Sequence, residues 1–235
     1  MFSESADYYD LIYLPVKDCA AEAAQVAGLL RAHNPRCRTV LDVASGTGEH
    51  ARWLATHGFD VHGVDLNPAF IRIARAKHPA GTFFEGDMRD FHLGRRCDAV
   101  VCLFSSIGYA RTIEGVESAL RCFRDHLALD GAVIVEPWFP PGVLDSTRVS
   151  RNEGTSDAVH VIRDCRIDIA GAISRLNFTY QITDHEQFRE TSEVHELGIF
   201  TRDEMLSAFR NAGLDATHDV NGLTGRGLYV ARRSE

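Results

Sequence analysis

A doubly wound α/β fold is predicted for this chain of 235 residues, built on a mostly parallel seven-stranded sheet whose last strand runs antiparallel. Three observations predict it. Short apolar runs alternate with segments of helical period through the first 140 or so residues, the rhythm of successive βα units. A glycine turn, "SGTG", joins the first apolar run to the helix after it. The chain closes with two strand-like runs, "DATHDVNG" and "RGLYVARR", joined by too few residues for a parallel crossover.

The elements follow in order. "CAAEAAQVAGLLRAH" (19–33) carries apolar residues at helical spacing. "TVLDVA" (39–44) reads as a strand and "EHARWLATHG" as a helix ending at Gly58. "DVHGVD" (60–65) is the second strand, and "PAFIRIARAKH" a helix with Pro68 in its first turn. "GTFFEGD" is the third strand. "CDAVVCLF" (97–104) is the fourth, apolar almost throughout as a strand covered on both faces is. "IEGVESALRCFRDHLALDG" reads as a long helix stopped by Gly131, and "AVIVEPW" as the fifth strand.

From about 143 to 200 the rhythm changes. Val161, Cys165, Ile167 and Ile169 alternate with Ile162, Asp164, Arg166 and Asp168. After "AGA" the alternation resumes, with Leu176, Phe178, Tyr180 and Ile182 against Arg175, Asn177, Thr179 and Gln181. This is a hairpin with one apolar face, and "TSEVHELGIF" adds a further strand. Residues 143–200 are therefore expected as a small antiparallel sheet inserted into a domain formed by 1–142, with an N-terminal lid, and 201–235. The insertion is expected to shape a substrate pocket and to offer a homodimer interface. "TRDEMLSAFRNAGL" returns to helix, with Thr201 as cap and Gly213 as stop.

The formal charge of −8 argues against general binding of nucleic acid or anionic membrane. No run of about 18 apolar residues is present, and "MFSESADYYDLIY" has no basic region ahead of an apolar block. The cysteines Cys19, Cys37, Cys97, Cys102, Cys122 and Cys165 form no CxxC pair. They read as reduced, mostly buried thiols of a cytoplasmic protein.

Gly46, Gly48 and Ala51 match GxGxx(G/A), and Asp65 follows about 20 residues on, which by itself keeps NAD a candidate. Three features shift the balance. Asp42 stands inside the first strand, where a carboxylate is costly unless a cation meets it. S-adenosylmethionine carries an ammonium, a sulfonium and no phosphate, and so justifies an acid there. "EGDMRDF" offers Asp87 to an adenine amino group and the Met88 thioether to its face. The antiparallel closing pair replaces a sixth parallel unit.

"DVASGTG", "VDLNP", "GDMRDF" and "FSSIGY" together resemble the class I S-adenosylmethionine-dependent methyltransferases. The resemblance implies glycines that let the backbone approach the cofactor and an acid, Asp65, on both ribose hydroxyls. The cofactor-binding set it implies is Tyr9, Lys17, Asp42, Ala44, Gly46, Gly48, Asp65, Leu66, Asp87, Met88 and Leu103.

"YYDLIY", "DHLALDGAVIVEPWFPP" and "GLTGRGLYV" extend the likeness over nearly the whole chain to the deoxyaminosugar N-methyltransferases of antibiotic biosynthesis. Their acceptor is a dTDP-linked amino-deoxysugar, methylated once or twice. Ser45 stands where relatives often have Cys, and Phe139 where a second Trp is common. By this resemblance His126 lies beside the sugar amine and Tyr13 contacts the substrate, so these two are the candidate catalytic residues.

A diphosphate calls for cations and aromatic surface. Trp138, Arg163, Arg175 and Arg226 are the candidates, with Arg226 between glycines the first choice. His185, Glu186, His195 and Glu196 read as a solvated face rather than a metal site. The competing expectations are a methyltransferase for another small molecule, such as an amino acid or a polyketide hydroxyl, and a cofactor-binding module without catalysis.

Overall fold

The computed structural model describes residues 5–185 and 187–234. A short helix, α1 (Tyr9–Tyr13), is flanked by 3-10 turns and precedes α2 (Cys19–His33), whose first turn is capped by Asp18 accepting from the Ala21 N–H at 2.9 Å. Then come β1 (Thr39–Val43), α3 (Glu49–Thr56), β2 (Asp60–Asp65), α4 (Pro68–Lys77), β3 (Thr82–Glu85), β4 (Cys97–Cys102), α5 (Ile113–Asp125) and β5 (Leu127–Val135). Four long strands follow: β6 (Val149–Thr155), β7 (Val159–Ala170), β8 (Ile173–Asp184) and β9 (Gln187–Gly198). The chain ends with α6 (Arg202–Asn211), β10 (Leu214–Asp219) and β11 (Leu228–Arg233).

The main sheet has the order β10-β11-β5-β4-β1-β2-β3. β11 runs antiparallel to both β5 and β10, and the other pairs are parallel. Alternation along each strand feeds two apolar layers. Val40 and Val101 pack with Val26, Leu30, Leu54 and Ala74 from α2, α3 and α4. Leu41 and Val100 pack with Leu120 and Phe123 of α5 and Phe209 of α6. Strand order reverses beside β1, which has β2 on one side and β4 on the other, so a crevice opens above the carboxyl ends at that point.

β6-β7-β8-β9 form a second, wholly antiparallel sheet. Its inner face, Val161, Cys165, Phe178, Tyr180 and Ile182, receives Ile12 of α1. Helix α1 crosses β6 so closely that a Cβ on Gly154 would stand 2.2 Å from the Leu11 carbonyl oxygen.

Two boundaries differ from expectation. The helix ends at Asp125 rather than Gly131, because Leu127 already pairs with Cys97 and the following residues are drawn into the sheet with a register shift at Cys97/Ala99. The second sheet has a strand more than the sequence pattern predicts: β6, "VSRNEGT", is mostly exposed and has no apolar periodicity to announce it. All six cysteines are buried and free. No described helix is long and apolar enough to cross a membrane.

Candidate active site

The carboxyl ends of β1 to β5 deliver Asp42, Asp65, Asp87, Phe104 and Trp138 to one cleft. A cavity of about 580 Å³ runs from Asp65, Leu66 and Met88 past Tyr9, Tyr13 and Tyr109 to Trp138, Arg163 and Arg226. A recess of about 50 Å³ adjoins it beneath Tyr9 and Tyr13, with Lys17, Asp42, Ala44, Gly46, His50 and Leu103 in its wall.

The glycine loop turns on left-handed residues, Ala44 (φ 57°), Gly46 (φ 55°) and Gly48 (φ 74°). Ala44 has a side chain in a region that glycine favours, strain of the kind found at binding loops. Gly48 starts α3 against α4, where an added Cβ would lie 2.9 Å from the Ala74 Cβ. The Gly46 N–H donates to Asp65 Oδ2 at 2.8 Å, and the Asn67 N–H donates to Oδ1 at 2.8 Å. Burial raises the Asp65 pKa, against the lowering effect of those two bonds.

Asp42 is 2% exposed, and its Oδ2 has no hydrogen-bond partner among the described residues. Burial pushes its pKa up to about 7, with the Asp65 charge adding to the rise and His50 opposing it. The neighbouring cations are held elsewhere: Lys17 Nζ contacts Glu22, and His50 Nε2 lies 2.8 Å from the same carboxylate. An orphaned acid in a recess of this size fits a ligand cation. Lys17 also stands over the Phe104 ring, 4.1 Å from its centroid.

After β4 the chain makes two further left-handed turns, at Phe104 (φ 52°) and Ser105 (φ 62°). Buried Glu136 accepts from the Phe104 N–H at 2.7 Å and from Thr224 Oγ1 at 2.6 Å, tying this turn to the loop before β11. From that loop Arg226 Nη1 donates to Ser105 Oγ at 3.1 Å, and its guanidinium carbon lies 5.1 Å from the Phe104 ring centroid and 5.2 Å from that of Phe139. Trp138 Nε1 donates to Ser174 Oγ at 2.8 Å.

Arg163 is 5% exposed. Its Nη2 donates to Asn152 Oδ1 at 2.6 Å, while Nε and Nη1 have no partner among the described residues. No ion pair joins Arg163 or Arg226 to a carboxylate among the described residues, and both line the cavity. Two such guanidiniums beside aromatic rings give this end of the cavity the chemistry an anion would need.

Several expected site residues lie elsewhere or are engaged. His126 caps α5 outside the cavity. Its Nδ1 is 2.8 Å from the Cys122 carbonyl oxygen, and its Nε2 accepts from the Leu93 N–H at 3.1 Å, so both ring nitrogens serve the fold. The placement corrects its expected position beside the acceptor. Arg175 is exposed on the outer side of β8 and pairs with Glu196 at 2.8 Å, because it shares the parity of Asn177 rather than of Phe178. Asp87 reaches the cavity, but its carboxylate is held by Arg89 through Nε at 2.9 Å and Nη2 at 2.5 Å.

His195, expected on a solvated face, is 2% exposed and lines the cavity. Its Nδ1 lies 2.8 Å from the Tyr109 hydroxyl and its Nε2 3.4 Å from Glu193 Oε2. Glu193 also accepts from Ser5 Oγ at 2.8 Å and from the Tyr180 hydroxyl at 3.3 Å. His185 is exposed, and Glu186 lies outside the described residues. No group of three metal-ligating side chains is found among the described residues. Sequence reasoning missed Tyr109, Glu193 and His195. The signal was their parity: Glu193 and His195 alternate in phase with Leu197, which packs inward.

A reversal-point crevice with one acid buried in the first strand, a second acid ending the second strand and a small recess beside the first has the form of a methyltransferase-type nucleoside site on a Rossmann-like sheet. Residues 40–131 match the pattern described as a methyltransferase domain. The chain is 38% identical to the dTDP-3-amino-3,4,6-trideoxy-alpha-D-glucopyranose N,N-dimethyltransferase of Streptomyces venezuelae, over 97% of each chain. It is 37% identical to the dTDP-3-amino-3,6-dideoxy-alpha-D-glucopyranose N,N-dimethyltransferase of Streptomyces fradiae, over 97% of this chain and 90% of the relative. Among solved structures, DesVI of Streptomyces venezuelae superposes with a TM-score of 0.91 at 38% identity, covering 98% of this chain and 99% of that one. CalS10 of Micromonospora echinaspora, an amino pentose methyltransferase solved with S-adenosylmethionine bound, gives 0.85 at 34% identity, over 100% and 98%. The chain belongs to the S-adenosylmethionine-dependent methyltransferases, in the family of the dTDP-aminosugar N-methyltransferases.

Proposed function

We propose that this protein methylates the amino group of a dTDP-linked amino-deoxysugar, once or twice, with S-adenosylmethionine as donor. The observation that carries the acceptor is the buried Arg163 guanidinium, with two nitrogens unpartnered and no carboxylate beside it, facing the same cavity as Arg226. A buried cation of this kind is retained where an anion joins it. The sugar-nucleotide diphosphate supplies that anion, with Trp138 and Phe139 as the apolar surface beside it. A purely apolar acceptor gives no reason for either arginine.

The residues present fit the cofactor. Asp42 would meet its ammonium and Lys17 its carboxylate in the small recess. Asp65 would take the ribose hydroxyls, and Leu66 and Met88 would flank the adenine while Gly46 leaves the backbone open. When bound, the cofactor supplies an electrophilic methyl group on a sulfonium. The chain's own task is orientation: Tyr9 and Tyr13 of the lid cover the recess, exclude water and hold the amine in line. The insertion, 143–200, completes the acceptor pocket through Arg163 and His195. Exposed Val149, Ile169 and Phe188 on this sheet favour pairing with a second copy, and six free thiols favour a reducing cytoplasm.

The test is incubation with S-adenosylmethionine and a panel of dTDP-3-amino and dTDP-4-amino deoxyhexoses, followed by mass spectrometry. A gain of one or two methyl groups is expected on at least one member. No gain on any, with gain on a hydroxyl acceptor, overturns the reading.

A further inference from the structure

The acceptor of the reaction proposed above is an amine, protonated in neutral water, and an ammonium has no lone pair to attack with. Its proton needs a place to go. Of the two expected catalytic residues, His126 lies outside the cavity with both ring nitrogens engaged, and Tyr13 packs under the Arg163 guanidinium. The cavity wall nonetheless holds a connected set of proton-exchanging groups that no role yet absorbs.

We propose that Tyr109, His195 and Glu193 form a proton relay that deprotonates the bound sugar ammonium. The proposal rests on the aminosugar reading. Its geometry is a chain of three: Tyr109 hydroxyl to His195 Nδ1 at 2.8 Å, His195 Nε2 to Glu193 Oε2 at 3.4 Å, and Glu193 anchored by Ser5 and Tyr180. The carboxylate sets the direction. It accepts from Nε2–H, which leaves Nδ1 as an acceptor for the Tyr109 O–H. The phenolic oxygen then keeps lone pairs for a donor in the cavity, and Tyr109 is part of the cavity wall.

The proton balance closes. One N–H bond of the ammonium breaks and an O–H bond forms at Tyr109, as the original phenolic O–H breaks and an Nδ1–H bond forms. The amine recovers its lone pair, and the positive charge moves to the His195 imidazolium, against the Glu193 carboxylate. A phenolate never forms. That matters, because burial holds the Tyr109 pKa well above its ordinary range, with Tyr13, Tyr180, Asp65 and Glu193 raising it further. Tyr109 is unsuited to act as a base alone and suited to pass a proton on. Of the other charged groups that line the cavity near His195, Arg111 and Glu196 pair with each other at 3.5 Å, while Arg163 and Arg226 repel a third cation and favour the neutral amine. A second methylation uses the same path after the histidine returns its proton to solvent on product exchange. Tyr109 is the catalytic residue of the set. His195 and Glu193 act through it.

The test compares the wild-type protein with Tyr109→Phe and His195→Gln across pH 6 to 9.5, following kcat/KM for the dTDP-aminosugar that the wild type methylates. Without the relay, turnover depends on the fraction of amine already neutral in solution. The expected loss is about 100-fold at pH 7, shrinking steadily as pH rises through the pKa of the free amine, with the cofactor Kd within twofold of wild type. A second readout is independent of turnover. With S-adenosylhomocysteine present, the 15N resonances of His195 are expected to move to imidazolium positions on adding the aminosugar, and to stay put with the analogue bearing a hydroxyl in place of the amine. A loss that is the same at every pH, a loss under threefold at pH 7, or an imidazole that stays neutral overturns the relay and leaves the acceptor assignment standing. Absence of methyl transfer by the wild type overturns the acceptor reading and the relay with it. Tyr109→Phe removes one oxygen without changing shape, so it decides the matter even where His195→Gln does not fold.

Discussion

The guanidinium carbon of Arg163 sits 4.5 Å from the ring centroid of Tyr13, so a cation of the inserted sheet rests on an aromatic ring of the N-terminal lid. The same guanidinium lies 4.9 Å from the Phe178 ring on its other neighbour and keeps two nitrogens unpartnered. Stacking holds the charge in place without neutralising it. Arg163→Met is therefore expected to raise KM for the sugar nucleotide about 30- to 100-fold, the loss of a charge-assisted contact of roughly 2–3 kcal/mol. The S-adenosylmethionine Kd is expected to stay within twofold. Arg163→Lys is expected not to restore KM, since a point charge lacks the planar fork. Steady-state kinetics with each substrate varied in turn separates these outcomes.

Asp42 gives a pH signature in the protein without ligand. Its pKa is pushed up to about 7 in the fold, chiefly by burial, against about 3.8 for the free side chain. Below both values the acid is neutral in either state and contributes nothing. As pH rises past the lower value the unfolded chain ionises and the folded one does not. The fold then loses roughly 1.4 kcal/mol for each step of one in pH, until pH passes the higher value. Asp42→Asn is expected to melt higher than wild type at pH 8 and to match it near pH 4. Cofactor affinity reverses the sign. The ionised acid is the form that greets an ammonium, so wild-type binding is expected to tighten between pH 6 and 8 while Asp42→Asn binds about 10-fold or more weakly at pH 8 with a flat profile. Calorimetric titration across that window checks both.

What could be read from sequence, and what could not, follows from where the residues point. Asp42 stood out because a carboxylate interrupts an otherwise apolar strand, and Gly46, Gly48 and Asp65 because their spacing is set by one turn and one strand. Arg163 and Arg175 looked equivalent as strand arginines, yet parity separates them: Arg163 alternates in phase with Val161 and Cys165, Arg175 with Asn177 and Thr179. His195 was hidden differently. In "SEVHELG" the apolar Val194 is exposed and the histidine is buried, since a network of Glu193 and Tyr109 satisfies it. A buried polar cluster inverts the pattern that hydrophobic periodicity reads. The helix end after Asp125 was hidden because "LALDG" fits a helix locally, and only pairing with β4 pulls it into the sheet.

His126 is expected to serve the fold rather than the reaction. It accepts from the Leu93 N–H and turns Nδ1 to the Cys122 carbonyl, with its ring 4.4 Å from that of Phe91. His126→Ala leaves the part-buried Leu93 N–H without its acceptor and opens a gap, at an expected cost of about 1–3 kcal/mol. The expected kinetic result is a kcat within threefold of wild type at a temperature where the variant is folded, with an unchanged pH profile. A profile that shifts would restore His126 to the reaction.

The lid is held by a cluster that lies over the glycine loop. Lys77 Nζ of α4 reaches Asp10 Oδ2 of α1 at 2.5 Å, Glu49 Oε2 of α3 at 3.0 Å and Thr47 Oγ1 at 3.2 Å, and Thr47 Oγ1 donates to Asp10 at 2.6 Å. One ammonium thus separates two carboxylates that would repel if left facing each other. Lys77→Met removes the attraction and exposes the repulsion, so it is expected to weaken lid closure more than Asp10→Asn, which removes an acid and leaves Lys77 its contact with Glu49. The groups are partly solvated, and the coupling between the two substitutions is expected at about 1 kcal/mol, below that of a fully buried pair. Because the lid covers the recess proposed for the cofactor, the loss is expected to appear as faster S-adenosylmethionine dissociation, roughly fivefold to tenfold for Lys77→Met, while the association rate barely changes. Stopped-flow measurement of both rates in the two single variants and the double variant closes the cycle, and equal dissociation rates in Lys77→Met and wild type would mean that the lid is held by its apolar contacts, Ile12 against the inserted sheet, alone.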